Sequence, residues 1–164
     1  GGRPAAPEVR ARPPGAAGAG ARPAPRSPPG PARAEAAAPR ERPIRWRWPV
    51  DGPVLRRFGE GPVPGRGIQI GGRPGQPVRA AADGVVVYAG RGLPQYGALV
   101  IIKHDRHYLS AYGHNQALLV REGERVRAGQ RIATLGAQGG RALLHFEIRY
   151  DGRPRDPLRL LPRR

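Results

Sequence analysis

The chain of 164 residues has no cysteine and no methionine. Without cysteine it can build no disulfide framework, no thiolate zinc site and no cysteine nucleophile. Lysine is almost missing too, since of 29 Lys and Arg residues only Lys103 is a lysine. No apolar run reaches the roughly 18 residues that a membrane-spanning helix needs. Aromatic residues form 5% of the chain and do not interleave with arginine as a base-stacking platform would. No nucleic-acid motif accompanies them, so nucleic acid is not expected as a partner. Acidic residues are few, 12 against 29 cations, and the net charge of +17 favours anionic surfaces. The use of Arg with Ala, Pro and Gly also follows from GC-rich coding.

Glycine and proline, by contrast, are abundant, with 25 and 21 residues. They are unevenly spread. Residues 1–43 hold 11 Pro, 13 Ala, 8 Arg and 6 Gly, and Val9 as the one β-branched aliphatic. Such a segment cannot bury enough apolar surface to offset the entropy of ordering, and it is read as a disordered linker. A transient helical turn at 34–38 is stopped by Pro39 and Pro43. The chain opens at Gly1-Gly2 with no charged-then-apolar leader. It reads as a piece of a longer protein whose targeting signal or anchor lies upstream.

From Ile44 the pattern becomes period-two, broken by turn residues. Strands are expected at 54–58, 67–70, 77–81, 85–88, 98–104, 108–112, 131–135 and 143–150, an all-β domain over 44–164. Asp105-Arg106 and Asp151-Gly152 are expected to close hairpins. One short helix is expected at 115–119, and Pro157 with the apolar residues 158–161 should tuck the tail against the sheet. Alternation places Leu144, Phe146, Ile148 and Tyr150 on one face, with Leu143, His145, Glu147 and Arg149 on the other. It also groups Tyr108, Ser110, Tyr112 and His114, and sets Gln69 opposite Ile68 and Ile70. Gln69, His114 and His145 are expected to line one groove.

The residues carry a resemblance. RWRWPVDGPVLRRFGEG at 45–61, GRGIQIGG at 65–72, PVRAAADGVVVYAGRGL at 77–93, the long run 96–136 and LHFEIRYDGRPRDPLRLLP at 144–162 resemble the lysostaphin-type (LytM) peptidase domain. Within that family they are most similar to the NlpD-like amidase activators. The resemblance implies a mostly antiparallel β-sandwich. Active members hold zinc with the His and Asp of H-x-G-x-D and the second His of H-x-H. Side chains of alternate strand residues converge there on a metal that keeps one position open for water. The first His of H-x-H and the His of a Y-x-H segment assist.

Carried onto this chain, the zinc positions become Gly65, Gln69 and His145, and the assisting positions become Leu143 and His114. Glycine offers no ligand, and a neutral amide is a poor substitute for a carboxylate. No metal or other cofactor is therefore expected, and no hydrolysis. The resemblance implies instead a regulator that docks on a periplasmic N-acetylmuramoyl-L-alanine amidase and activates it for septal wall cleavage. Arg66, Gln69, Tyr112, His114, Leu143 and His145 are the expected docking groove. His114 and His145 could equally be ordinary groove residues without a present role. Peptidoglycan is a further candidate ligand, and the membrane is reached only through an upstream anchor.

Two rival readings stand beside it: an active zinc endopeptidase, and a module that only binds peptidoglycan. A second echo, of biotinyl and lipoyl carrier half-repeats at 120–136, lacks the lysine at a hairpin tip that such carriers modify. Lys103 is expected inside a strand.

Overall fold

Eleven strands realise the period-two pattern in the computed structural model, which describes residues 43–60 and 65–164. They are β1 (Val54–Arg56), β2 (Ile68–Gly71), β3 (Pro77–Arg79), β4 (Gly84–Gly90), β5 (Ala98–Lys103) and β6 (Tyr108–Leu118). Then follow β7 (Arg125–Val126), β8 (Arg131–Leu135), β9 (Ala137–Gln138), β10 (Arg141–Tyr150) and β11 (Arg153–Arg155). Two 3₁₀ turns, Pro94–Tyr96 and Pro157–Arg159, are the only helical elements among the described residues. The expected linker and its helical turn lie outside the described residues, Pro43 excepted.

The strands pair antiparallel in the order β1-β2-β10-β6-β5-β4-β7. The far end of β6 leaves β5 and pairs with β8, which carries β3. The core fills the space between: Ile68 and Ile70 from β2, Val78 from β3, Ile132 and Leu135 from β8, and Leu144, Phe146 and Ile148 from β10 are all fully buried. Each fully buried side chain of this size stabilises by about 1.5–3 kcal/mol. The alternation read for β10 is thus observed, with its apolar stripe inward.

The hairpin chemistry is also local. Asp105 accepts the amide protons of His107 and Tyr108, both at 2.8 Å, between β5 and β6. Asp151 and Gly152 take φ of 49° and 80°, the positive pair that a two-residue hairpin requires. At the end of the chain Asp156 accepts from the Leu158 amide at 3.0 Å, while Pro157 and Leu161 are buried.

The expected helix at 115–119 is absent. That stretch continues β6, with Asn115, Ala117 and Leu118 registered against Leu135, Thr134 and Ala133. The buried Asn115 amide donates to the carbonyls of Ala98 and Tyr112 at 2.9 and 2.8 Å, which ties the strand down where it bends. Pairing with β8 satisfies the backbone better than one isolated helical turn could.

One polar chain crosses the core. The Ala81 amide donates to the Tyr112 hydroxyl at 2.9 Å, and that oxygen lies 2.7 Å from Ser110 Oγ. Ser110 Oγ stands 2.7 Å from His104 Nε2, and His104 Nδ1 lies 2.6 Å from the Asp83 carbonyl. The amide can only donate and the carbonyl can only accept. The protons therefore run one way, and His104 is neutral with its proton on Nδ1. Burial, outweighing nearby Asp83 and Asp105, also holds His104 below its ordinary 6.5.

Candidate functional site

Three strands bring the candidate residues together. The register sets Gln69 of β2, His145 of β10 and Gly113 of β6 in one row. Glycine is required just ahead of β2: a Cβ on Gly67 would stand 2.2 Å from the Phe146 carbonyl oxygen. His114 follows Gly113 in a bulge, with φ of 65°. The β5–β6 register slips across that point, pairing Ala98 with Asn115 but Val100 with Tyr112. A bulge re-aims a side chain, and this one overturns simple alternation. His114 leaves the face of Tyr112 and stands edge-on to His145, ring centroids 6.2 Å apart. Burial, and then the charge of His145, keep the His114 ring below 6.5.

His145 is anchored from beneath. Its Nε2 lies 2.7 Å from a carboxylate oxygen of Glu147, and Glu147 is only 1% exposed. The same oxygen accepts the Tyr96 hydroxyl at 2.8 Å. The other accepts Arg149 Nε at 2.8 Å, with Nη2 also at 2.8 Å. Burial pushes the Glu147 carboxyl up, but the bonds from His145 and Tyr96 and the charges of His145 and Arg149 hold it below 4.5. Tyr96 is raised by burial and by its bond to that carboxylate. Arg149 is raised by Glu147, against the opposing effect of its burial.

Among the expected residues the outcome is mixed. Gln69, His114 and His145 do share one face. Leu143 lies on it too, opposite Gly71, but is 4% exposed and offers little contact. Arg66 is exposed, with no hydrogen bond or ion pair among the described residues. Tyr112 is corrected: it pairs with Phe146 on the core face, is fully buried, and its hydroxyl is pushed up to about 12 by burial. It belongs to the core, not to the groove.

Sequence reasoning missed the residues that organise the face. Alternation already set Glu147 and Arg149 beside His145, but nothing local signalled that Glu147 would be buried. Tyr96 comes from a 3₁₀ turn 51 residues away. That turn roofs a cavity of about 300 Å³ lined by Leu93, Tyr96, Leu99, Ile101, Leu109 and Arg149. The face is thus a charged ridge beside an apolar hollow.

The donor set does not fit zinc. Gly65 has no side chain, and Gln69 donates its amide to the Gln138 oxygen at 3.0 Å. His145 is held by Glu147. Among the described residues no group of three His, Cys, Asp or Glu side chains converges as a metal site.

Residues 64–157 match the profile of Peptidase family M23. The chain belongs to that family. Among curated proteins it is 57% identical over 120 residues to the "Lipoprotein NlpD/LppB homolog" of Pseudomonas aeruginosa, covering 73% of this chain and 40% of the relative. It is 54% identical over 120 residues to the "Murein hydrolase activator NlpD" of Escherichia coli, covering 73% of this chain and 32% of the relative. The chain therefore spans less than half the length of either protein. Among solved structures, a zinc containing peptidase from Vibrio cholerae matches with a TM-score of 0.64 at 33% identity. That match covers 71% of this chain and 39% of the peptidase. The mostly antiparallel sandwich is the fold of this family.

Proposed function

We propose that residues 44–164 act without catalysis, binding and activating a periplasmic N-acetylmuramoyl-L-alanine amidase during septal wall cleavage and cell separation. The observation that carries this reading is the emptied donor set beside a retained, well-braced face. Of the zinc positions Gly65 offers no ligand and Gln69 only a poor one, and the assisting position Leu143 is apolar, while Glu147 holds His145, Tyr96 and Arg149 in place. The name of the Escherichia coli relative supports an activator role. The lipoprotein name of the Pseudomonas aeruginosa relative supports a lipid-anchored protein, and the outer membrane antigenic lipoprotein B of Haemophilus influenzae, 48% identical over 121 residues, supports anchoring at the outer membrane, facing the periplasm. Segment 1–43 takes the role of linker.

An activator works only if it binds the open amidase better than the closed one. The docking face we assign comprises Arg66, Gln69, His114 and His145 over the buried Leu143, extended by Tyr96, Arg149 and the apolar hollow. Its mixture suits an amphipathic partner segment with an apolar anchor and an acidic contact. The test is dye release from labelled sacculi with the chain alone, the amidase alone, and the two together. Release only in the mixture is expected. Release by the chain alone, abolished by a chelator, would overturn the reading in favour of a zinc endopeptidase.

A further inference from the structure

We infer that a second surface, around the 3₁₀ turn Pro157–Arg159, binds carboxylate-bearing chains of the cell wall; this rests on the wall setting of the proposed function. Two cavities flank that turn, of about 420 and 480 Å³. The first is lined by Phe58, Tyr108, Pro154, Arg155, Arg159 and Leu160. The second holds Trp48, Arg57, Leu158, Leu161, Arg163 and Arg164. Leu158 lines one hollow and Arg159 the other, so both border the same turn. Volumes of this size with apolar floors and a few charged groups are typical of ligand sites.

The charge balance on this surface is one-sided. Five guanidinium groups meet two carboxylates, and both already accept backbone amides: Asp156 that of Leu158 and Glu60 that of Arg57. Arg164 is placed by the Trp48 ring, 3.7 Å from its centroid, and by the carbonyls of Val50 and Gly52. Arg155 lies over Tyr150, 5.0 Å from the ring centroid. The guanidinium groups of Arg57, Arg159 and Arg163 are exposed, with no hydrogen bond or ion pair among the described residues. Clustered like charges repel, and an anion relieves that repulsion. The planar fork of arginine suits a carboxylate in particular.

The surroundings choose among anions. A lipid surface needs apolar wedges, yet the exposed large hydrophobics Val87, Leu93 and Leu119 line neither cavity. Nucleic acid needs free aromatic faces. Trp48 is covered by Arg164, and the Tyr108 ring is packed against Trp46 and Tyr150. Two hollows on either side of one turn, both with guanidinium rims, fit a polymer whose short peptides end in carboxylates. The Tyr108–Tyr150 pair beside the first cavity lies five residues along β6 and β10 from the Gly113–His145 pair. The wall and the amidase could be held together.

The test is co-sedimentation of the 1–164 chain with purified sacculi at increasing salt. R57E/R159E/R163E is compared with R121E/R125E/R127E, which makes the same charge change around β7. Retention is expected to fall on the order of tenfold in the first and less than about twofold in the second. Binding of either variant to the amidase without wall should be unchanged. Equal loss in both variants, or no retention of the parent chain, would overturn the assignment. So would tighter binding to phosphatidylglycerol vesicles or RNA that the same three arginines control. If the amidase never responds yet the contrast between variants holds, this site stands and the activator reading falls. Should the glutamate variant not fold, R57Q/R159Q/R163Q repeats the comparison with half the charge change.

Discussion

Strands β6 and β10 carry two polar networks on opposite faces, and the networks differ in kind. On the core side, Ala81, Tyr112, Ser110, His104 and Asp83 form a neutral chain whose ends are backbone groups. On the groove side, Glu147 gathers Tyr96, His145 and Arg149 into a charged hub that stays partly open to solvent. The first network is complete and has nothing left to bind. The second presents His145, 15% exposed, and Arg149, 23% exposed, from a fully covered carboxylate. A closed buried chain specifies the packing around it, whereas a braced open cluster is suited to meeting a partner.

The comparison can be broken at several points. The largest effect should come from Gly67→Ala, since β2 could no longer approach β10, which carries the Glu147 hub and pairs with the β6 strand of the core chain. We expect a loss of about 3 kcal/mol or more, read as a lower denaturation midpoint. Tyr112→Phe leaves the Ala81 amide and Ser110 short of partners, at a cost of about 2 kcal/mol. If Tyr112 is purely a core residue, amidase activation per folded molecule should not change; a selective loss of activation would return it to the groove.

Glu147→Gln reverses that pattern. It should cost about 1 kcal/mol of stability, because its partners are partly solvated, but lower activation on the order of tenfold. Chemical denaturation and dye release, measured on one preparation, separate the two effects.

Acidity acts on the core chain. His104, and also His114, are held below 6.5, so the unfolded chain binds protons first as pH falls. Their contribution is fully present above about pH 6.5 and is lost as pH falls through the lowered folded values. Protonated His104 would also need to donate to Ser110 and reverse the chain. Melting temperature should therefore drop between about pH 7 and 5, and less steeply in His104→Gln. A rise over that interval would contradict the assignment. Glu147 adds a further loss only below 4.5.

The smallest effect on stability is expected from Gly65→His with Gln69→Asp, at about 0.5 kcal/mol. A Cβ on Gly65 meets nothing closer than 3.5 Å. The pair supplies the two donors of the H-x-G-x-D motif, one of them opposite His145, and calorimetry should then show zinc binding well above that of the parent chain. No binding would mean that the Glu147 bond keeps His145 from metal even when its partners return.

The strand pattern was largely legible because it is local. Each expected strand has its counterpart, from Val54–Arg56 to Arg141–Tyr150, since alternation and turn residues act over a few positions. Asp151-Gly152 announced its turn by chemistry alone. The short strands β7, β9 and β11 carry two or three residues each, too few for any periodicity to show. Alternation failed at His114, which it had grouped with Tyr112, because a bulge there resets the pattern, and the stretch after it was misread because it pairs with β8.

What the residues settled without the fold is their chemistry. Glycine at 65 and leucine at 143 bring no donor and the amide at 69 only a weak one, and the alternation of β10 sets His145, Glu147 and Arg149 apart from the core. Which side chains meet across the molecule was decided by tertiary structure alone. Tyr96 reaches Glu147 across 51 residues, and arginines from both ends of the domain converge beside Trp48. Such contacts depend on strand order, register and one bulge, which no short stretch of sequence encodes.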